Sequence, residues 1–304
     1  MLESVAKIFL LIGLGYLLVL LGLKEKVGSK LSKAVFSFLL PLIMFNGLAR
    51  SKLEVEYLNI VLVAALYIFI SLALVAFIVK RLKLKEKTAI STIVSSVFLN
   101  SAFLPMPLAY SLYSNILPVI VYTYALILIY YPTVDVLTSF KTRRSDMGFL
   151  IMSLKRISRN PIIYSGILGI AFSVYNLRIY VPDSIWFILE QVSVIGIYLS
   201  AVVVGLGLPI IRGISVFLGE TIMVISFWRH IISPIIHYML AVFLINDVVV
   251  FKQMMLESIM PPATINAVLA YVYGFDVETV SKAIIVSTVF SLAEVFVFIW
   301  LGII

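Results

Sequence analysis

Apolar residues in this 304-residue chain run in long unbroken blocks rather than in the alternation of strands or the stripes of soluble helices. A helical membrane span needs about 20 mostly apolar residues. Ten runs meet or approach that length: 4–22, 31–49, 57–79, 88–112, 115–137, 161–176, 183–208, 218–245, 250–272 and 279–303. The connections between them are short and polar, except for the stretch from Thr138 to Asn160. The pattern predicts an all-α membrane protein of ten transmembrane helices with no appended soluble domain.

Charge assigns the two sides. Clusters at Lys24–Lys33, Lys80–Lys87 and Lys141–Arg159, with Arg212 and Lys282, place seventeen basic residues on one side. Lys7, Arg50, Lys52, Arg178 and Lys252 make five on the other, and Arg229 lies inside the eighth run. The excess marks the cytoplasmic side. It predicts a multi-pass protein of the cell membrane with both termini outside and the 138–160 loop in the cytoplasm. That loop divides the chain into halves, 1–150 and 151–304, of five spans each. An odd number of spans per half forces the second half to insert upside down, the organisation of inverted-repeat transporters.

Composition agrees with a lipid environment: 62% of residues are hydrophobic and 12% charged, with mean hydropathy +1.15, against about 25% charged in soluble domains. The net charge of +8 is explained by cytoplasmic anchoring, so nucleic acid is not an expected partner. There is no cysteine, hence no disulfide and no thiolate site. His230 and His237 lie seven apart with no further ligand nearby, so no metal site is expected. Met1–Gly22 lacks a basic n-region and a cleavage site and reads as the first span.

Two runs are interrupted in the same way. The fourth, "FLNSAFLPMPLA" (98–109), carries Asn100 with Pro105 and Pro107. The ninth, "ESIMPPATINAVLAYVYG" (257–274), carries Pro261, Pro262 and Asn266. Proline breaks a helix, and irregular backbone at membrane depth survives only inside protein or beside a water-filled cavity. Matched interruptions in two halves point to a transporter's binding site. The candidate substrate residues are Asn100, Ser101, Pro105, Pro107, Pro261, Pro262, Thr264 and Asn266, with Asn46 in span two on the opposing wall. Single prolines at Pro41, Pro132 and Pro234 read as kinks. Glu257, one turn before Pro261, and Glu294, within span ten, are candidates for coupling to H⁺ or Na⁺. Arg229 is a candidate for attracting an anion, and its position also permits snorkelling to the interface. Asp135 and Glu190 lie nearer span ends and read as structural.

The same segments carry a resemblance. "NSAFLPMPL" (100–108) resembles the Asn-Thr-x-Phe-Leu-Gly-x-Pro-Leu stretch of the auxin efflux carrier family, and "MPPATINAVLAYVYGFD" (260–276) its Met-Pro-Pro-Ala-x-Asn stretch. "STVFSL" (287–292), "LPLIMFNGLA" (40–49), "NP" (160–161) and "RHIISP" (229–234) also fit. Pro105 stands where the family usually has glycine, and Glu294 where it tends to have a small or hydroxyl residue. The resemblance implies two inverted five-helix repeats with crossed helices four and nine. It implies a scaffold of helices 1, 2, 6 and 7, through which a homodimer would form, and a transport domain of helices 3–5 and 8–10. It also implies small organic anions as substrates, moved by an elevator motion.

No other class fits as well. The chain has no P-loop and no catalytic constellation, so neither an ATP motor nor an enzyme is expected. No cofactor is expected beyond a coupling H⁺ or Na⁺. An ion-coupled symporter or antiporter, of the bile-acid or sodium/proton type, is the alternative on the same architecture.

Overall fold

The computed structural model describes residues 2–142, 146–208 and 219–304, and these are helical with no strand among them. Among the described residues, seven helices are long and apolar enough to cross a membrane: Leu2–Leu20, Val27–Ala49, Glu56–Arg81, Leu117–Thr138, Asp183–Leu206, Glu220–Leu244 and Val277–Trp300. The other three predicted spans take different forms. Runs four and nine are each split into two short helices, and run six is the 14-residue helix Pro161–Val174, about 21 Å long.

In chain order the helices are α1 (Leu2–Leu20), α2 (Glu25–Ala34), α3 (Leu40–Ala49), α4 (Glu56–Arg81), α5 (Glu86–Val97), α6 (Pro105–Tyr113), α7 (Leu117–Thr142) and α8 (Asp146–Ile157). Then follow α9 (Pro161–Val174), α10 (Asp183–Leu206), α11 (Glu220–Phe227), α12 (Ser233–Leu244), α13 (Val248–Ser258), α14 (Ile265–Tyr273) and α15 (Val277–Trp300). Single π-helical turns, Val35–Leu39 and Trp228–Ile232, join α2 to α3 and α11 to α12. Each ends just before a proline, Pro41 or Pro234, whose missing N–H is accommodated in the first turn of the next helix.

The stretch 138–160, expected as a loop, is helical over most of its length. α7 runs on to Thr142 and α8 occupies Asp146–Ile157. The reason is a buried anchor at Asp135. Its carboxylate accepts from Arg156 Nη1 (2.7 Å), Tyr273 Oη (2.7 Å) and Ser153 Oγ (2.7 Å), tying α7, α8 and α14 together. Residues 143–145 lie outside the described residues, as does 209–218 with Arg212; the side chains of Lys141, Arg143 and Arg144 are likewise outside them.

Large apolar side chains face outward along the helices, among them Leu10, Phe243 and Trp300. That surface suits lipid and would be a liability in water. Inside, α1 and α10 touch backbone to backbone. A Cβ on Gly15 would fall 2.1 Å from Val202 O, and one on Gly205 2.0 Å from Ile12 O. Small residues replace the hydrophobic drive that helices lack in lipid. The main cluster of buried side chains joins α4 and α7 to both interrupted helices.

Candidate functional site

The interruptions of runs four and nine meet. α5 ends at Val97 and α6 begins at Pro105, with 98–104 non-helical between them; α13 ends at Ser258 and α14 begins at Ile265, with 259–264 between. The two irregular segments pair antiparallel at Leu99 and Pro262. Asn100 N donates to Pro261 O (2.8 Å), and Ala263 N donates to Phe98 O (3.0 Å). The C-terminal ends of α5 and α13 and the N-terminal ends of α6 and α14 therefore gather at one place.

The prolines act differently in the two segments. Pro261 and Pro262 lie inside the break, whereas Pro105 and Pro107 open α6 after it, where a fixed φ and a missing N–H cost least. A proline also frees the carbonyl four residues before it. Ser101 O, opposite Pro105, accepts from Thr123 Oγ1 on α7 (2.7 Å). Phe103 O, opposite Pro107, accepts from Ser200 Oγ on α10 (3.0 Å). Glu257 O, opposite Pro261, accepts from Met260 N (3.1 Å). Ser258 O, opposite Pro262, accepts from Ser233 Oγ (2.8 Å) and Arg229 Nη2 (3.2 Å). Each carbonyl that a proline frees thus has a donor within reach, although Thr123 and Ser200 share their single hydrogens with Val119 O and Ile197 O of their own helices.

The asparagines that looked equivalent in sequence are not equivalent in space. Asn266 is fully engaged. Its amide donates to Val94 O (3.3 Å) and Phe98 O (3.2 Å) at the end of α5, and its carbonyl accepts from Tyr130 Oη (2.6 Å). Asn100 uses only its carbonyl, which accepts from Phe103 N (3.1 Å) and so fixes the orientation of the amide. Asn100 is 4% exposed, and its Nδ2 has no partner among the described residues. Ser101, buried, lies inside the first break, and Thr264 precedes the first turn of α14. Neither their backbone N–H groups nor that of Ala102 have a backbone acceptor among the described residues.

Arg229 does not snorkel. It is fully buried, where Nε and Nη2 donate to Met260 O (2.9 and 2.5 Å) and Nη1 to Tyr67 Oη (2.5 Å). Its role here is to cap the C-terminal carbonyls of α13, as Asn266 does for α5. The π-helical turn that carries Arg229 re-aims the side chain, a recurrent use of such turns at functional positions.

Glu257 and Glu294 differ in the same way as the asparagines. Glu294 pairs with His230 Nδ1 (2.7 Å). Glu257 is fully buried, and neither carboxyl oxygen has a hydrogen-bond partner among the described residues. Asn46, on α3, is buried, and its Oδ1 has no partner among the described residues. The neighbouring Gly47 faces Ile120 of α7 so closely that a Cβ would fall 2.4 Å from its Cδ1, so α3 borders the α7 wall. Glu190 pairs with Arg50 (2.6 Å) at the opposite end from the lysine-rich loops.

Sequence reasoning missed Thr123, Tyr130, Ser200 and Ser233, which supply donors around the crossing, and Tyr67, which accepts from Arg229. Their signal was a polar group inside an apolar run, shared with many residues that only bond their own helix.

The family model for membrane transport proteins matches residues 1–299. An uncharacterised transporter of Methanothermobacter thermautotrophicus is 27% identical over 302 residues, covering 96% of this chain and 95% of that protein. An uncharacterised transporter of Methanocaldococcus jannaschii is 30% identical over 151 residues, about half of each chain (49% and 48%). Matched over almost its whole length, and with the two broken helices where the motif residues fall, the chain belongs to the auxin efflux carrier-like family of membrane transport proteins.

Proposed function

We propose that this transporter carries small organic anions, carboxylates in particular, by alternating access at the crossing of its two broken helices. The observation that carries the reading is the buried Asn100 amide, whose donor hydrogens are unspent at the meeting point of two helix N-termini. Helix N-termini favour negative charge through exposed N–H groups and the aligned peptide dipoles. The competing C-terminal carbonyls, which would favour a cation, are occupied by Asn266, Arg229 and Ser233. The balance at the crossing therefore supports an anion.

The antiparallel pairing of Leu99 with Pro262 supports two inverted five-helix halves, 1–150 and 151–304, since matched segments of inverted halves run in opposite directions. In this reading α1, α2–α3, α9 and α10 form the scaffold and dimer surface, and the rest moves as an elevator. Ser200 of α10, bonded to Phe103 O, and Asn46 of α3 then mark where the moving crossing slides along its support. The basic loops face the cytoplasm and both termini lie outside. Purified protein in liposomes, assayed with labelled dicarboxylates and aromatic acids, tests the reading. Saturable uptake that Asn100→Ala removes is expected; carboxylate uptake indistinguishable between the two proteins overturns it.

A further inference from the structure

Glu257 is the one candidate carboxyl at the crossing that the hydrogen-bond network does not use. The bonded groups around it point elsewhere. Ser233 O can only accept, so its 2.9 Å contact with His237 Nδ1 places the ring hydrogen on Nδ1. His237 Nε2 must then accept, and Tyr122 Oη donates its hydrogen to it (2.9 Å). The Tyr122 hydroxyl hydrogen is thereby spent away from Glu257. Arg229, the nearest fixed charge, directs its donors to Met260 O, Ser258 O and Tyr67 Oη.

The elements packed against α13 are α12, α7 and α6. Besides His237 and Tyr122 they bring the tyrosines Tyr110, Tyr113, Tyr124, Tyr130, Tyr131 and Tyr238. They also bring Asp135, which is held by Arg156 at the far end of α7. None of these is bonded to Glu257. A carboxylate there has no donor to replace the water it lost, whereas the neutral acid needs far less compensation. Glu294, paired with His230, lacks this exposed need.

Charge counting then links Glu257 to the anion. With Glu257 protonated, Arg229 leaves the buried region at +1, which one bound monoanion neutralises. With Glu257 ionised, Arg229 is already balanced and an anion would leave net negative charge in lipid. Unbalanced buried charge is costly, so proton and anion should enter and leave together, each favouring the other by the same factor. We propose that Glu257 is a proton-binding site and that the transporter moves one proton with each anion. The proton site follows from geometry alone; its coupling to an anion rests on the function proposed above.

Two measurements separate these parts. Infrared spectra of the purified full-length protein in detergent at neutral pH should show the carbonyl band of a buried protonated acid. Glu257→Gln should remove that band, Glu257→Asp should shift it, and Glu294→Gln should leave it. A band unchanged in Glu257→Gln overturns the proton site. In proteoliposomes, labelled pyruvate, a monocarboxylate ionised at neutral pH, and the trapped pH dye pyranine report anion and proton together. An outward-acid gradient should drive accumulation in wild type, about tenfold per pH unit for a monovalent anion with one proton, and Glu257→Gln should lose that drive. Pyruvate flux with no pyranine signal, or a drive retained in Glu257→Gln, overturns the coupling. Absence of all carboxylate flux refutes the anion reading and with it the coupling, while the infrared result still decides the proton site.

Discussion

Replacing Asn266 by alanine removes three hydrogen bonds from the crossing, to Val94 O, Phe98 O and from Tyr130 Oη. Bonds between membrane helices average about 0.6 kcal/mol each, which gives about 2 kcal/mol. The larger consequence is the Tyr130 hydroxyl, 2% exposed and left with no acceptor, at about 1–3 kcal/mol. Alanine recovers at most about 0.7 kcal/mol of helix propensity in α14. The net loss is about 2–4 kcal/mol, or roughly 5–10 °C in apparent Tm. Thermal unfolding in detergent, followed by fluorescence-detected size exclusion, reads it. The double variant with Tyr130→Phe, which deletes the stranded hydroxyl, should be about 1–2 kcal/mol more stable than the sum of the two single losses predicts. An Asn266→Ala protein within about 0.5 kcal/mol of wild type, or strict additivity in the double variant, would refute the clamp.

Other perturbations test other joints of the structure. Gly205→Val drives a side chain into Ile12 O and Tyr16 N and should cost about 3 kcal/mol or more, read as loss of the monodisperse folded peak in detergent. Arg229→Met strips the donors from Met260 O and Ser258 O, and should lower apparent Tm by more than Asn266→Ala because a charged cap is lost, at about 1.5–3 kcal/mol per bond. At Asp276, the cap of α15, burial pushes the carboxyl up. Hydrogen bonds from the Thr279 amide and hydroxyl and from Thr88 outweigh it and hold the group below its usual range. Its contribution is therefore fully present above its unfolded value, about pH 3.9, and is lost as the pH falls through the lower folded value. Thermal scans from pH 6 to 3 should show this loss in wild type and a smaller one in Asp276→Asn.

The interruptions were legible because composition leaves few ways to place two prolines beside an asparagine in an apolar run. Their position was less so. The proline pair of run four does not lie in the break but begins the helix after it, since an N-terminal turn tolerates what a helix interior does not. The split between Asn100 and Asn266 was invisible, because it depends on Tyr130 reaching one and not the other across 136 residues of chain. Arg229 was readable as unusual but not as a cap, since its partners become free carbonyls only once α13 ends at Ser258. The stretch 138–160 read as a loop from its charges; Asp135, at the edge of an apolar run, gave no sign that it would hold Arg156 and Ser153 and so order α8.

Binding of labelled carboxylates to purified wild-type and Asn100→Ala proteins tests the proposed site most directly. Asn100→Ala gives up one hydrogen bond, accepted from Phe103 N, so apparent stability should fall by only about 1 kcal/mol. Loss of a donor to a charged ligand, at about 1.5–3 kcal/mol, should weaken binding about 10- to 100-fold. A folded Asn100→Ala protein that binds and moves carboxylates as wild type does would contradict the assignment of the crossing as the anion site.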